Sequence, residues 1–317
     1  MAPSKSRKNP SVFISHSSVN LKTARQVEAA LQTAGFDAWL DRSDIHVGAL
    51  LRSELQHAIK ASHAVVLLWS KAAAASRWVA AEILTAFHLN RFIVPCVLSK
   101  TDLPPLLSRS VYFRLGGNRT DVLQRMTQQL AQAPRARNPW TTVNIYQSQD
   151  LSQTIQDLYG QQHTEMDQVE RGDLVAAKKS HAKLDPAMLK AEKRWRFDPT
   201  ILSLGGFHRK NGYMLKYWDE NAAGRFPFDP LLEQGERLFF DTLLTNPVDF
   251  SALNGLGNIL YFEGELDAAE FFVIKAIDYA AEAGINYTEA KNDLELIQSR
   301  RVELTPKLRS RRQASGR

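Results

Sequence analysis

Six residues whose side chains can bind ligands or take part in catalysis follow three strand-sized apolar runs. In chain order they are Ser15, His16, Asp41, Ser70, Trp78 and Glu82. The first four come directly after the apolar runs, and the last two are four residues apart, which places them on one face of a helix. An aromatic plane beside a carboxylate suits a ligand that contains a flat ring and a sugar. Spacing alone supports no further chemistry.

The elements that must position these residues alternate along the first part of the chain. Strands are predicted at 11–15, 36–40, 64–69, 92–98 and 111–113, and helices at 20–34, 50–60, 75–89 and 120–132. The third run is wholly apolar, as in a strand buried on both faces. The alternation predicts a flavodoxin-like, doubly wound parallel sheet of five strands. Ligands bind outside the carboxyl ends of such strands, so side chains far apart in sequence can converge there.

The order of several short motifs is more specific than any one of them. The motifs are FISHSS (13–18), WLD (39–41), Gly48, Ser62, VVLLWS (65–70) and S-x-W-x3-E (76–82). This ordered set resembles a TIR (Toll/interleukin-1 receptor) domain of the bacterial type, over residues 11–132. The resemblance implies an enzyme that cleaves NAD at the nicotinamide–ribose bond, with NAD as its substrate and no cofactor.

The same resemblance assigns roles to individual residues. It implies that Glu82 is the catalytic residue. The substrate-binding residues that it implies are Ser15, His16, Trp39, Asp41, Ser70 and Trp78. The loop after the second strand is implied to complete the site of a neighbouring subunit, so that activity depends on self-association. The residues of this loop are Arg42, Ser43, Asp44, Ile45, His46, Val47 and Gly48.

A carboxylate makes chemical sense in that reaction. Nicotinamide leaves as a neutral molecule from a positively charged pyridinium and needs no general acid. The ribose becomes oxocarbenium-like as the bond breaks, and a nearby negative charge stabilises it. Water then gives ADP-ribose, whereas an internal nucleophile gives a cyclic ADP-ribose isomer. The sequence does not choose between the hydrolase and the cyclase.

Most of these residues also have a structural interpretation. Glu82 is a solvated helix acid in that interpretation, Trp39 and Trp78 pack in the core, and Asp41 caps or turns its loop. His16 lies next to a serine, but adjacent strand residues point to opposite faces. No acidic partner for a serine–histidine pair is identifiable either, so we interpret His16 as packing or lining the site, without a role as a base.

The second half of the chain has helical periodicity. We expect a linker at 133–147 and a helical domain at 148–299, with helices at 150–159 and 166–193 and a less regular stretch at 198–230. Residues 250–283 resemble one tetratricopeptide unit, which offers a peptide-binding surface. The positions that carry this resemblance are Leu253, Leu256, Gly257, Leu260, Ala269, Val273 and Ala276. The alternative is a plain helical bundle, because a tetratricopeptide stack normally needs three or more repeats.

Charge is distributed unevenly around a net value of +6. Residues 1–10 carry three positive side chains, residues 141–299 carry a net charge of −10, and residues 300–317 carry a net charge of +6. The two ends are predicted to be disordered. A basic tail of this kind solubilises the chain or touches nucleic acid or anionic lipid. The acidic helical region favours a basic partner, of which the chain's own arginine-rich tail is one candidate.

Several classes of protein are not supported by the sequence. It contains no GxGxxG or GxxxxGK[ST] motif and no nucleic-acid-binding signature. Its histidines form no HExxH motif or Cys/His cluster, so no metal site is expected. No apolar run is long enough to cross a membrane. The absence of a signal-peptide pattern and the single cysteine, Cys96, favour the cytoplasm.

The combined prediction is an NAD glycohydrolase that is activated by oligomerisation and acts in bacterial anti-phage defence. The alternative is a protein without catalytic activity, a TIR scaffold or adaptor, or an effector that acts through contacts between TIR domains.

Overall fold

The computed structural model describes residues 10–40, 51–115, 119–132, 137, 138, 140 and 148–314, with the side chains of 51–54 and 304–314 left outside that description. The chain divides into two compact units, Met1–Thr142 and Val143–Arg317. Each unit is described by itself below.

The first unit contains five strands and five helices among its described residues. The strands are β1 (Ser11–His16), β2 (Asp37–Leu40), β3 (Ala64–Trp69), β4 (Phe92–Val97) and β5 (Phe113–Arg114). The helices are α1 (Leu21–Thr33), α2 (Leu51–Ala61), α3 (Lys71–Ala74), α4 (Arg77–His88) and α5 (Arg119–Ala131). All strand pairs are parallel, in the order β2-β1-β3-β4-β5. The predicted flavodoxin-like sheet is confirmed.

The alternation of side chains along β1 decides what each face of the sheet packs against. Val12 and Ile14 are fully buried in a core that includes Val27 of α1 and Met126 of α5. Residues at the odd-numbered positions of β1 therefore point to the opposite face. Strand β3 is buried along its whole length, as its apolar sequence predicted. The sheet thus separates two layers of helices, and Ser15 points away from α1 and α5.

The helix predicted at 75–89 is α4 (Arg77–His88), and a separate four-residue helix, α3 (Lys71–Ala74), precedes it. Ser70 caps α3 by accepting a hydrogen bond from the Ala73 amide (3.1 Å), and Ser76 caps α4 by accepting one from the Val79 amide (3.3 Å). Serine at both positions competes for backbone donors and starts a new helix each time. The sequence places S-x-W-x3-E at the start of α4 for this reason.

Part of the predicted linker at 133–147 packs on the first unit. The Asn138 side-chain carbonyl accepts a hydrogen bond from the Ile93 amide (2.7 Å), and its NH2 group donates to the Ile93 carbonyl (2.8 Å). The short strand β5 pairs with β4 only from Cys96 onward, so the edge of β4 at Ile93 is open to this amide. Arg137 and Trp140 both contact the Phe87 ring. The linker predicted at 133–147 did not indicate these contacts with the first unit.

Cys96 lies in the core of the sheet, fully buried, with its thiol 3.5 Å from the Met126 sulfur. Burial raises the pKa of the Cys96 thiol from 9.0 to about 12. The thiolate is the reactive form, and each pKa unit changes its population tenfold. We therefore expect a disulfide exchange reagent at pH 8 to label no cysteine in the native protein and one equivalent in denaturant. Labelling of the native chain at the rate of a free cysteine would contradict this burial.

The second unit is helical throughout its described residues. Its helices are α6 (Gln149–Glu170), α7 (Leu174–Arg194), α8 (Pro199–Lys216), α9 (Trp218–Ala222), α10 (Pro230–Thr245), α11 (Phe250–Phe262), α12 (Leu266–Glu282) and α13 (Thr288–Ala314). Gly172 adopts φ +78° between α6 and α7, a conformation that ends a helix. The two helices predicted within 150–193 are present, but α6 is twice as long as expected.

The stretch 198–230, predicted to be irregular, is mostly helical. Helix α8 occupies it from Pro199 onward, and its N-terminus is capped by the Asp198 carboxylate, which accepts hydrogen bonds from the Thr200 and Ile201 amides (3.0 Å each). The glycines that indicated irregularity are sites of close packing. A Cβ atom at Gly206 would lie 2.8 Å from the Phe239 ring of α10. Tertiary packing therefore outweighs the low helix propensity of glycine here.

Residues 250–283 form a helical hairpin of α11 and α12. Gly257 and Ala269 lie where the two helices cross. A Cβ atom at Gly257 would come within 2.4 Å of Val273 Cγ2 and 3.2 Å of the Ala269 carbonyl oxygen. This contact explains why small residues occupy the crossing.

A larger side chain at this crossing should separate the helices. We expect Gly257→Val to lower the free energy of unfolding of the helical unit by about 1–3 kcal/mol, because the added methyl groups overlap Val273. Urea unfolding followed by far-ultraviolet circular dichroism measures the change. Gly160→Ala on α6 is the control, since its Cβ would meet nothing within 4 Å. Equal effects of the two substitutions would contradict the close crossing.

The predicted disordered tail begins inside a helix, because α13 continues to Ala314. The segment from 300 onward contains no glycine before 316 and is rich in arginine, which favours helices. Arg300 donates a hydrogen bond to the Gly224 carbonyl (2.6 Å), and Arg301 forms ion pairs with Asp267 (2.6 Å) and Glu270 (2.5 Å) of α12. The first arginines of the tail thus contact acidic residues of the same unit.

Among the described residues, no helix is long and apolar enough to cross a membrane.

Candidate active site at the carboxyl edge of the sheet

A hydrogen bond joins two of the predicted site residues, which are 67 positions apart in the sequence. Ser15 lies near the carboxyl end of β1, and its hydroxyl donates to Glu82 Oε2 of α4 over 2.5 Å. Ser15 points to the face of the sheet opposite α1 and α5, and α4 packs on that face. The strand order and the position of α4 together bring the two side chains into contact. The sequence had indicated only that side chains at the carboxyl ends of the strands can converge.

The pair is buried. Glu82 is 2% exposed and Ser15 is fully buried. A carboxylate in such surroundings loses its hydration, and a donated hydrogen bond offsets part of that cost. The arrangement can hold a negative charge in a region of low polarity, where it acts strongly on a nearby positive charge.

Ser70 ties together two loops at the same edge. Its hydroxyl donates to the Asn20 side-chain carbonyl over 2.7 Å, and its oxygen also accepts the Ala73 amide at the start of α3. Asn20 follows β1 and Ser70 follows β3, so the contact fixes the two loops that flank Ser15. The Trp69 ring NH donates to the Asp102 carbonyl (2.8 Å) and fixes the loop after β4. Asn20 was not predicted as a site residue, although its position after the first strand places it at the edge of the sheet where ligands bind.

His16 does not share a face with Ser15. Its Nδ1 lies 3.4 Å from the Ile14 carbonyl, and the ring is 5% exposed. His16 lies on the same face of β1 as Val12 and Ile14, which pack against α1. The side chains of Ser15 and His16 therefore point to opposite faces of the sheet, and the role of His16 in lining the site stays a prediction.

The two tryptophans lie in different surroundings. Trp78 is half-buried in the first turn of α4, one turn before Glu82, with the Arg77 guanidinium 5.8 Å from its ring centre. Trp39 is 44% exposed on the edge strand β2 and stacks on Phe13 with ring centres 6.2 Å apart. It also lines an open pocket formed by Ser11, Asp37, His57, Ala58 and Ala61.

The pocket beside Trp39 is distinct from the contact between Ser15 and Glu82. Its lining includes Ser11 and Asp37, the first residues of β1 and β2, which place it toward the amino ends of the strands. The structure therefore brings Ser15, Ser70 and Glu82 to one edge, and it places Trp39 on a surface that opens elsewhere.

Comparison with known protein families identifies this unit. Residues 12–133 match the family model of the TIR domain. This segment is a TIR domain. Its limits agree with the 11–132 predicted from the order of the motifs. A search of curated proteins found no match to the chain.

The loop of the TIR domain that was assigned to oligomerisation lies outside the described residues. It comprises Arg42, Ser43, Asp44, Ile45, His46, Val47 and Gly48, together with the preceding Asp41. The roles given to these residues stay predictions.

Proposed function

We propose that the TIR domain is an NAD glycohydrolase in which Glu82 is the catalytic residue. The observation that carries the proposal is the placement of this carboxylate against Ser15, near the carboxyl end of β1. Ligands of doubly wound sheets bind at this edge. The bacterial TIR domains that this sequence resembles cleave NAD with a glutamate at the corresponding position.

The proposed reaction breaks the bond between ribose C1′ and the nicotinamide nitrogen. The electron pair of that bond goes to the nitrogen, so nicotinamide leaves neutral and the positive charge moves to the ribose. Glu82 stabilises that charge electrostatically. Water then adds to C1′ and loses a proton, which gives ADP-ribose. Capture of C1′ by a nucleophile of the same molecule gives a cyclic isomer instead.

Access to Glu82 sets a requirement on this mechanism. The carboxylate is 2% exposed, so a ribose hydroxyl can reach it only when the side chains that cover it move. Assembly through the loop at 42–48, which the family resemblance implies, is our proposed trigger for that movement. Isolated subunits are then weak enzymes, and turnover per subunit rises with protein concentration.

A buried acid held by a serine also fits the alternative, a TIR scaffold without turnover. The helical unit serves assembly or sensing in both proposals, with the tetratricopeptide-like hairpin as a surface for a peptide. A cytoplasmic location and a role in anti-phage defence through NAD depletion complete the first proposal.

A concentration series separates the two proposals. The purified full chain is incubated with NAD at increasing protein concentrations, with and without a crowding agent, and nicotinamide is followed by chromatography. An enzyme activated by assembly releases more nicotinamide per subunit as the concentration rises. No release under any condition, with self-association intact by light scattering, would favour the scaffold. The same chromatogram distinguishes ADP-ribose from a cyclic isomer.

A further inference from the structure

Three side chains in the helical unit come together although 16 and 27 residues separate them along the chain. Glu165 of α6, His181 of α7 and His208 of α8 each offer one ligand atom, and these atoms lie within 4.8 Å of one another. Glu165 is fully buried and His208 is 3% exposed. No sequence motif indicates this cluster, because each residue lies on a different helix.

Two polar atoms of this cluster have no hydrogen-bond partner among the described residues. His181 Nδ1 lies 3.1 Å from Glu165 Oε2, and His208 Nε2 lies 2.6 Å from Asp185 Oδ1. Glu165 Oε1 and His208 Nδ1 are buried and have no hydrogen-bond partner among the described residues. A buried polar atom without a partner is destabilising, so the presence of two calls for an explanation.

We propose that Glu165, His181 and His208 bind a divalent transition metal ion, with zinc as the ion that fits best. Two imidazoles and a carboxylate are a common zinc ligand set, and three protein ligands leave a fourth position for water. Metal sites in helical bundles are built in this way, from side chains on facing helices. The proposal concerns the helical unit and does not depend on NAD cleavage by the TIR domain.

Asp185 supports this assignment. Metal-bound histidines usually donate their second ring NH to a carboxylate, which fixes the tautomer and the orientation of the ring. With Nε2–H donated to Asp185, His208 presents the lone pair of Nδ1, the same atom that lacks a partner. Asp185 is 57% exposed, so it carries its charge at low cost.

Metal binding requires one ring to turn. The rings of His181 and His208 are stacked, with centres 4.1 Å apart and planes 22° apart, so their in-plane lone pairs do not yet converge. A Cβ atom at Gly212 would lie 2.7 Å from His181 Nε2. Glycine at this position leaves the ring space to turn that an alanine would remove.

The test is titration of the full chain with zinc and with cobalt(II) after treatment with a chelator. We expect one equivalent to bind, measured by calorimetry and by metal analysis after desalting, with visible absorption of cobalt in a four-coordinate site. Glu165→Gln and His208→Ala should abolish this binding. Asp185→Asn should weaken it about 10–100-fold, as outer-shell substitutions do.

Two further variants control the test. His163→Ala removes an exposed histidine of α6 and should leave binding unchanged. Gly212→Ala removes no ligand and should weaken binding, which keeps the proposal testable if the ligand variants fail to fold by circular dichroism. Absence of binding by the wild-type chain, or equal binding by the wild type and Glu165→Gln, would overturn the proposal.

Discussion

Substitution of Glu82 by glutamine is expected to lower the rate of NAD cleavage by the full chain about 100- to 1,000-fold, the usual effect of removing one electrostatic stabiliser. Glutamine keeps the shape of the side chain, and its carbonyl can still accept the hydrogen bond from Ser15. It lacks the negative charge that the proposed mechanism sets against the ribose cation. The rate of nicotinamide release at saturating NAD measures the effect.

The stability of this variant separates catalysis from a structural role. A neutral amide is cheaper to bury than a carboxylate, so thermal unfolding of Glu82→Gln should occur at the same temperature as in the wild type or higher. Glu28→Gln is the matched control, because Glu28 lies on α1, on the opposite side of the sheet. An unchanged rate in Glu82→Gln would mean that the buried acid is not the catalytic residue.

Substitution of Ser15 by alanine is expected to have the second largest effect. A hydrogen bond to a charged group contributes about 1.5–3 kcal/mol, which corresponds to roughly a 10- to 100-fold lower kcat if the bond positions Glu82 during the reaction. The effect should fall on kcat more than on KM, because Ser15 acts through Glu82. Steady-state kinetics over a series of NAD concentrations give this division.

The pH dependence gives a second readout for Ser15→Ala. The hydroxyl stabilises the charged carboxylate, so without it the acid limb of the kcat profile should move to higher pH. Ser62→Ala is the control, since Ser62 is also buried and its hydroxyl donates to the Ala58 carbonyl (2.7 Å). Both variants should lose some stability. A shift of the pH profile in both, or in neither, would contradict a positioning role for Ser15.

The sequence was sufficient to predict the sheet, because its strands carry strong local signals. Strand β3 is wholly apolar and was predicted residue for residue, and Gly35, with φ +83°, ends α1 as a glycine in that position should. The short helix α3 was not predicted, because it depends on Ser70 capturing a backbone amide. The spacing of apolar residues, from which helices are predicted, does not show which local hydrogen bonds form.

The helical unit was harder to predict, because contacts between distant helices outweigh local propensity there. The low helix propensity of glycine favours a break in the helix at Gly205, Gly206 and Gly212. Each of these glycines nevertheless faces a side chain of another helix, and a Cβ atom there would lie within 2.8 Å of that side chain. The cluster of Glu165, His181 and His208 was likewise invisible, since no spacing rule joins three helices. In the TIR domain, an ordered set of motifs was available, and it led to Glu82.

In the proposed function, cleavage of the nicotinamide–ribose bond depends on the negative charge of the Glu82 carboxylate. The most direct measurement is a proton NMR time course of NAD incubated with concentrated full-length protein, beside an identical sample of Glu82→Gln. The account predicts that free nicotinamide appears in step with the loss of NAD in the first sample and stays at background in the second. Equal nicotinamide signals in the two samples, or none in the wild type at any concentration, would contradict it.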